Sequence, residues 1–163
     1  MIDPDDIRGW QRLSDRVTTS GIVQDGDIAR LRALGVRHVI NLALDNHPEA
    51  LLDEGAKWMA AGIDYTHIPV PFDAPDEHQL DRFRQAMARD PGPVHVHCIM
   101  NWRVSAFLYR LNREAGMDAD EARALMCAQW DPMTNQNPHA PAWAAFVARA
   151  DLRADASCPE PCA

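Results

Sequence analysis

Cys98 follows a short β-rich run, Val94-His-Val-His, and leads within five residues to an asparagine, an arginine and an apolar helix-like segment, Val104-Ser-Ala-Phe-Leu. A buried strand that ends in a cysteine and runs directly into a helix puts the sulfur where backbone N–H groups converge, at the positive end of the helix dipole. A thiol in that place ionises easily and is a nucleophile at neutral pH, while the same N–H groups hold the oxyanion of a bound phosphate or the sulfur of a persulfide. Asn101 lies three residues after Cys98, where the loop turns through positive φ, which Asn tolerates better than any residue but Gly. Arg103 is the natural anion clamp, because its planar fork holds two oxygens at once. Ile99, Met100, Asn101 and Trp102, together with Val104 and Ser105, are the expected substrate-binding positions around it.

Other residues with chemical potential read more plainly. Cys127, within Ala124-Leu-Met-Cys-Ala-Gln-Trp, reads as helix core filling. His95, His97 and Cys98, with His67 on a neighbouring strand, do not make a metal centre, because successive strand side chains point to opposite faces and no Cys-x-x-Cys or His-x-x-x-His spacing supports one. No metal or cofactor is expected. Asp76, just before a helix-like run, reads as its N-cap. Trp102 and the Trp130-Asp131-Pro132 segment suit the walls of a pocket and simple packing equally. Cys158 and Cys162, separated by Pro-Glu-Pro, read as part of a loose tail.

The elements that must position these groups alternate. Val36–Leu42, Tyr65–Val70 and Val94–Cys98 are short β-rich runs separated by helix-like stretches at Asp25–Leu34, Glu49–Ala61 and Glu77–Ala88. That rhythm predicts an α/β fold, a central and mostly parallel sheet flanked by helices. Gly35 and Gly62 close the first two helices and Pro75-Asp76 opens the third. Beyond Arg103 the pattern is wholly helical: Val104–Ala115, closed by Gly116, then Asp118–Gln129 and Ala142–Ala150. One domain over residues 1–152 and a loose tail over 153–163 are expected.

At 163 residues the chain is long enough to bury roughly 70% of the surface its unfolded form exposes. Its 16 basic and 24 acidic residues give a net charge of −8, with no run of Lys or Arg, so the footprint of a nucleic-acid binder is lacking. The opening MIDPDDIRGW is acidic and broken by Pro4, and no stretch approaches bilayer-spanning length. A soluble, cytoplasmic protein with reduced thiols and no membrane partner is the expectation.

His97-Cys98 with Arg103 resembles the signature of cysteine phosphatases, and more closely that of bacterial phosphatase-like proteins related to dual-specificity phosphatases. LSDRVTTSGIVQDGDIARLRALGVRHVINLALDN is similar to that group's N-terminal strands, first helix and second-strand segment, and AAGIDYTHIPV to its next strand; with HCIMNWRVSAFLYR the likeness covers about residues 12 to 150. The resemblance implies the dual-specificity phosphatase-like fold and a cysteinyl-phosphate mechanism on a phosphorylated protein or small molecule. Cys98 attacks phosphorus, Arg103 binds the phosphoryl oxygens, and an aspartate on a preceding loop protonates the leaving group. Asp73, 25 residues before the cysteine in Pro-Phe-Asp-Ala-Pro, is the candidate for that acid. The resemblance also implies that His97 orients backbone and tunes the thiolate, a satisfied core histidine being the other reading of it, and in neither does it transfer a proton. Phosphatases of this class space Cys and Arg by five residues with a Gly between, whereas four intervene here and Asn101 takes the glycine position. Four is also the arrangement in rhodanese-type sulfurtransferases, whose loop holds a persulfide. Counted from the cysteine at the phosphatase distance, Val104 occupies the arginine slot and Ser105 keeps its own. Phosphoester hydrolysis, sulfur transfer and non-catalytic phosphate binding are all compatible with these residues.

Overall fold

The computed structural model describes residues 2–156. Among these residues five strands, β1 (Gln11–Arg12), β2 (Val17–Ser20), β3 (His38–Asn41), β4 (Asp64–His67) and β5 (Val94–His97), form one sheet in the order β1-β2-β5-β3-β4. Only the β1–β2 pair is antiparallel; β2, β5, β3 and β4 run parallel. The sheet is therefore mixed and mostly parallel, as the alternating pattern requires.

Among the described residues six helices cover it: α1 (Asp25–Ala33), α2 (Glu54–Ala60), α3 (Glu77–Arg89), α4 (Trp102–Glu114), α5 (Ala119–Cys127) and α6 (Ala140–Ala156). Period-2 alternation splits the sheet's side chains between two cores. Val39 faces Val23, Leu31, Val36, Trp58 and Ile63 beside α1 and α2. Ile40, Val94, Val96 and Cys98 face Phe83, Phe107, Trp143 and Phe146 from α3, α4 and α6. Cys98 thus ends a row of apolar side chains pointing toward α4, while His95 and His97 stack on the other face with ring centroids 6.3 Å apart.

Helix α4 is buried from Arg103 through Arg110, so the polar groups it carries inward, those of Arg103, Ser105 and Arg110, must find partners inside the protein. Its fully buried Arg110 is matched by Glu77 of α3 at 2.9 and 3.0 Å and by the Phe146 carbonyl at 2.9 Å. Such pairing is required of a charge removed from water.

Three expectations need correction. Helix α2 begins at Glu54, not Glu49, because Asp53 adopts the left-handed conformation (φ 52°), which no continuing α-helix accommodates. Cys127 is exposed, not core: α5 buries Ala122 and Met126, and the position after Met126 turns about 100° off that face. Helix α6 also runs past the expected Ala150 to Ala156. Cys158 and Cys162 lie outside the described residues.

Candidate active site

The strand β5 delivers Cys98 to the floor of a cleft of about 240 Å³ lined by His47, Phe72, Cys98, Ile99, Met100, Trp102, Arg103 and Asn137. Two wider grooves, about 540 Å³ beside Leu13 and Leu111 and about 640 Å³ between α1 and α2, contain neither cysteine among their lining residues. Cys98 lines the 240 Å³ cleft and neither of these grooves.

Asn101 shapes the loop. It sits at φ 66°, immediately before α4, and is fully buried. Its Nδ2 donates to the Gly9 carbonyl at 2.7 Å and to Thr19 Oγ1 at 2.9 Å. The side chain that would ordinarily cap the helix is thus drawn away, and α4 has no side-chain cap. The first ladder bond is Ser105 N–H to the Asn101 carbonyl, 3.1 Å. The amides of Trp102, Arg103 and Val104, being the first turn, have no intrahelical acceptor, and an anion in the cleft is their natural partner. Gly21 lets this loop lie against the sheet: a Cβ there would meet the Ile99 carbonyl oxygen at 2.5 Å.

Arg103 is buried at the cleft wall, where Nη1 donates to the Val70 carbonyl at 2.8 Å and the guanidinium lies 5.7 Å from the Phe72 ring centre. That contact uses one of its five N–H groups. Phe72 packs against Trp102, Trp130 and Trp143 with centroid distances of 6.1, 5.9 and 5.6 Å. Trp143 Nε1 donates to the Phe72 carbonyl at 2.7 Å. The segment that carries Asp73 is therefore fastened on both sides of Phe72's Cα, through Val70 by the loop arginine and through Phe72 by α6.

Asp73 is exposed and adjoins the cleft through Phe72, without being among its lining residues. Asp76 is committed elsewhere: its Oδ1 accepts from Gln79 N–H at 2.8 Å and Gln79 Oε1 accepts from its own N–H at 3.1 Å, a complete capping box. Of the expected substrate-binding positions, Ile99, Met100 and Trp102 line the cleft. Val104 and Ser105 do not. Val104 is wholly buried in the core, and the Ser105 hydroxyl donates back to the carbonyls of Asn101 and Trp102. Asn101 contributes loop shape, its side chain pointing toward Gly9 and Thr19. Trp130 is a backing residue: it stacks on Trp102 at 4.9 Å and donates to the Trp102 carbonyl at 3.0 Å.

His47, Phe72 and Asn137 line the cleft as well and were not singled out by sequence. At the mouth, Arg8 pairs with Glu49 through two 3.1 Å bonds, with Nη1 3.9 Å from Met100 Sδ. Behind the floor, Glu54 meets His97 Nε2 and accepts from Trp58 Nε1 at 2.9 Å and Asn41 Nδ2 at 3.0 Å. Burial pushes the Glu54 carboxyl up, but the charge and hydrogen bond of His97, with the Trp58 bond, outweigh it and hold the carboxyl below its ordinary value. Burial, and secondarily the charge of His97, drives His95 well below the usual histidine range.

A cysteine at the end of a central parallel strand, an uncapped helix behind its loop and an arginine at the cleft wall define a relative of the cysteine phosphatases. The phosphatase-like domain of the beta-lactamase hydrolase-like proteins matches residues 9–116, and the chain belongs to that family. It is 33% identical over 90 residues to the beta-lactamase hydrolase-like protein of Agrobacterium fabrum, 53% of this chain and 21% of that one. With the Xylella fastidiosa protein of the same name it shares 29% over 119 residues, 69% of this chain and 27% of the other. The chain thus spans about a quarter of the length of these curated relatives. Among solved structures, a DUF442 protein of Shewanella putrefaciens superposes with a TM-score of 0.78 at 28% identity, covering 91% of this chain and 95% of that one. TpbA of P. aeruginosa, solved in complex with pTyr, shares the fold with a TM-score of 0.68 at 23% identity, covering 97% and 95%. Among the described residues no helix is long and apolar enough to cross a membrane.

Proposed function

We propose that this chain is a cysteine-dependent phosphatase that hydrolyses a phosphomonoester through a cysteinyl-phosphate intermediate. The observation that carries the reading is the uncapped start of α4 beside Cys98, with the Asn101 amide committed to Gly9 and Thr19. The phosphoryl group sits against the first-turn amides and Arg103. The Cys98 thiolate attacks phosphorus, the bond from phosphorus to the leaving oxygen breaks, and Asp73 supplies the proton that oxygen needs. Water then attacks phosphorus, Asp73 takes up its proton, and phosphate leaves with Cys98 restored as thiolate. The aromatic walls Phe72 and Trp102 favour a flat leaving group such as the phenol of phosphotyrosine. A phosphorylated protein or small molecule is the substrate class, handled in the cytoplasm.

A second reading, transfer of sulfur through a persulfide on Cys98, is supported by the four-residue interval between Cys98 and Arg103, which makes a smaller cradle than the usual phosphatase loop. The two are separated by one pair of assays on the purified protein. Release of p-nitrophenol from its phosphate ester, abolished in Cys98→Ser, supports hydrolysis. Thiocyanate formation from thiosulfate and cyanide, with no phosphate released from any ester, overturns it in favour of sulfur transfer.

A further inference from the structure

His97 is gripped by two groups that accept hydrogen bonds. Its Nδ1 faces the Cys98 carbonyl at 3.2 Å and its Nε2 faces Glu54 Oε1, all of them buried. A carbonyl has no proton to give, so Nδ1 is protonated. The proton between Nε2 and Glu54 rests on either partner, and the other neighbours of the carboxyl decide which. Trp58 donates to Oε1 and Asn41 donates to Oε2, and donors on both oxygens favour the carboxylate. Asn41 is itself fixed, its Oδ1 accepting from Ala43 N–H at 2.8 Å and its Nδ2 also reaching the Tyr65 hydroxyl at 3.1 Å. The other ionisable groups around the pair are His95, stacked on His97 along β5, and Tyr65 and His67 from β4, which adjoin Glu54.

We propose that Glu54 is a positioning residue of the Cys98 centre: as a carboxylate it keeps His97 doubly protonated, so that a cation lies directly behind the nucleophile and its Nδ1–H fixes the Cys98 carbonyl. The proposal rests on the reading of Cys98 as the nucleophile, and on nothing about which anion it attacks. Glu54 touches no substrate. It acts only through His97, from the first turn of a helix that the left-handed Asp53 starts at this residue.

The test reads Cys98 and His97 directly. Glu54→Gln keeps the shape and removes the charge, and iodoacetamide labelling of Cys98 near pH 6 is expected to fall about tenfold. His97→Asn is expected to lower labelling by a similar factor, and the double variant to fall no further than the single ones, since both changes cut one path. In the wild-type protein, long-range ¹H–¹⁵N spectra are expected to show both ring nitrogens of His97 protonated at pH 7. An unprotonated ring nitrogen on His97 overturns the proposal, as does Glu54→Gln labelling at the wild-type rate or a double variant whose losses multiply. Should Glu54→Gln fail to fold, the wild-type spectrum still decides. Wild-type Cys98 labelling no faster than Cys127 would sink the nucleophile reading, a failure distinct from that of the His97 spectrum.

Discussion

Replacing Asn101 by alanine and by glycine tests whether the loop around Cys98 has the backbone on which its chemistry depends. Both variants lose the bonds from Nδ2 to Gly9 and Thr19 and remove the buried Oδ1, which has no partner in the structure. These effects cancel when the two variants are compared. What differs is the response of the new residue to φ 66°. Alanine pays roughly 1–2 kcal/mol to occupy the left-handed region. Glycine enters it freely but brings about 0.4–1 kcal/mol of extra unfolded-state entropy. Asn101→Gly is therefore expected to be the more stable of the two by about 1 kcal/mol, the opposite of their order in ordinary helix or strand. Urea unfolding followed by tryptophan fluorescence measures the difference, with equal m-values as the check that unfolding remains comparable. An Asn101→Ala protein as stable as Asn101→Gly, or more so, would refute the left-handed loop and with it the uncapped helix on which the proposed anion site rests.

The remaining expectations divide between catalysis and pH. Asp73→Asn is expected to lower hydrolysis of esters with poor leaving groups by about 10² to 10⁴, with a smaller loss on activated aryl phosphates. Asp76→Asn, which replaces one good capping residue by another, is expected to leave turnover unchanged, and Asp76→Ala to lower stability by about 0.5–2 kcal/mol without touching the chemistry. The reverse pattern would exchange the two roles. His95 is neutral in the fold, with Thr18 Oγ1 at Nδ1 and Ser20 Oγ at Nε2, both 2.9 Å. Its folded pKa is lowered by burial, so the unfolded chain binds the extra proton first. The stability it confers is present above the unfolded value near 6.5 and is lost as pH falls below it, by up to about 1.4 kcal/mol per pH unit. His38, lowered mainly by burial, adds a loss of the same sign. Urea midpoints that stay flat from pH 7 to 5, or a His95→Gln variant with an undiminished slope, would contradict this.

What the sequence made legible and what it hid follow from how far each feature reaches along the chain. Cys98, Asn101 and Arg103 were readable because a strand that becomes a helix within a few residues fixes their surroundings locally, and Asp76 because a capping box closes within three residues. Glu54 was not, since a periodic stretch from Glu49 reads as one helix, and only the fold shows Asp53 breaking it and aiming Glu54 at a histidine 43 residues away. Cys127 was misplaced because a helix beside a core buries one face, and periodicity over nine residues leaves that face uncertain by a position. Val104 and Ser105 were grouped with the loop by sequence distance, yet the first turn of α4 already carries them into the core. The shape of the Cys98 loop is held from Gly9, Thr19 and Gly21, and the loop bearing Asp73 from Arg103 and Trp143. A short cysteine loop of this kind is therefore a tertiary object: its residues name the chemistry, while the contacts that set its curvature come from the N-terminal part of the chain, at Gly9, Thr19 and Gly21. Changing the loop length alone would leave those anchors in place, so the four-residue interval is best tested together with the partners that hold it.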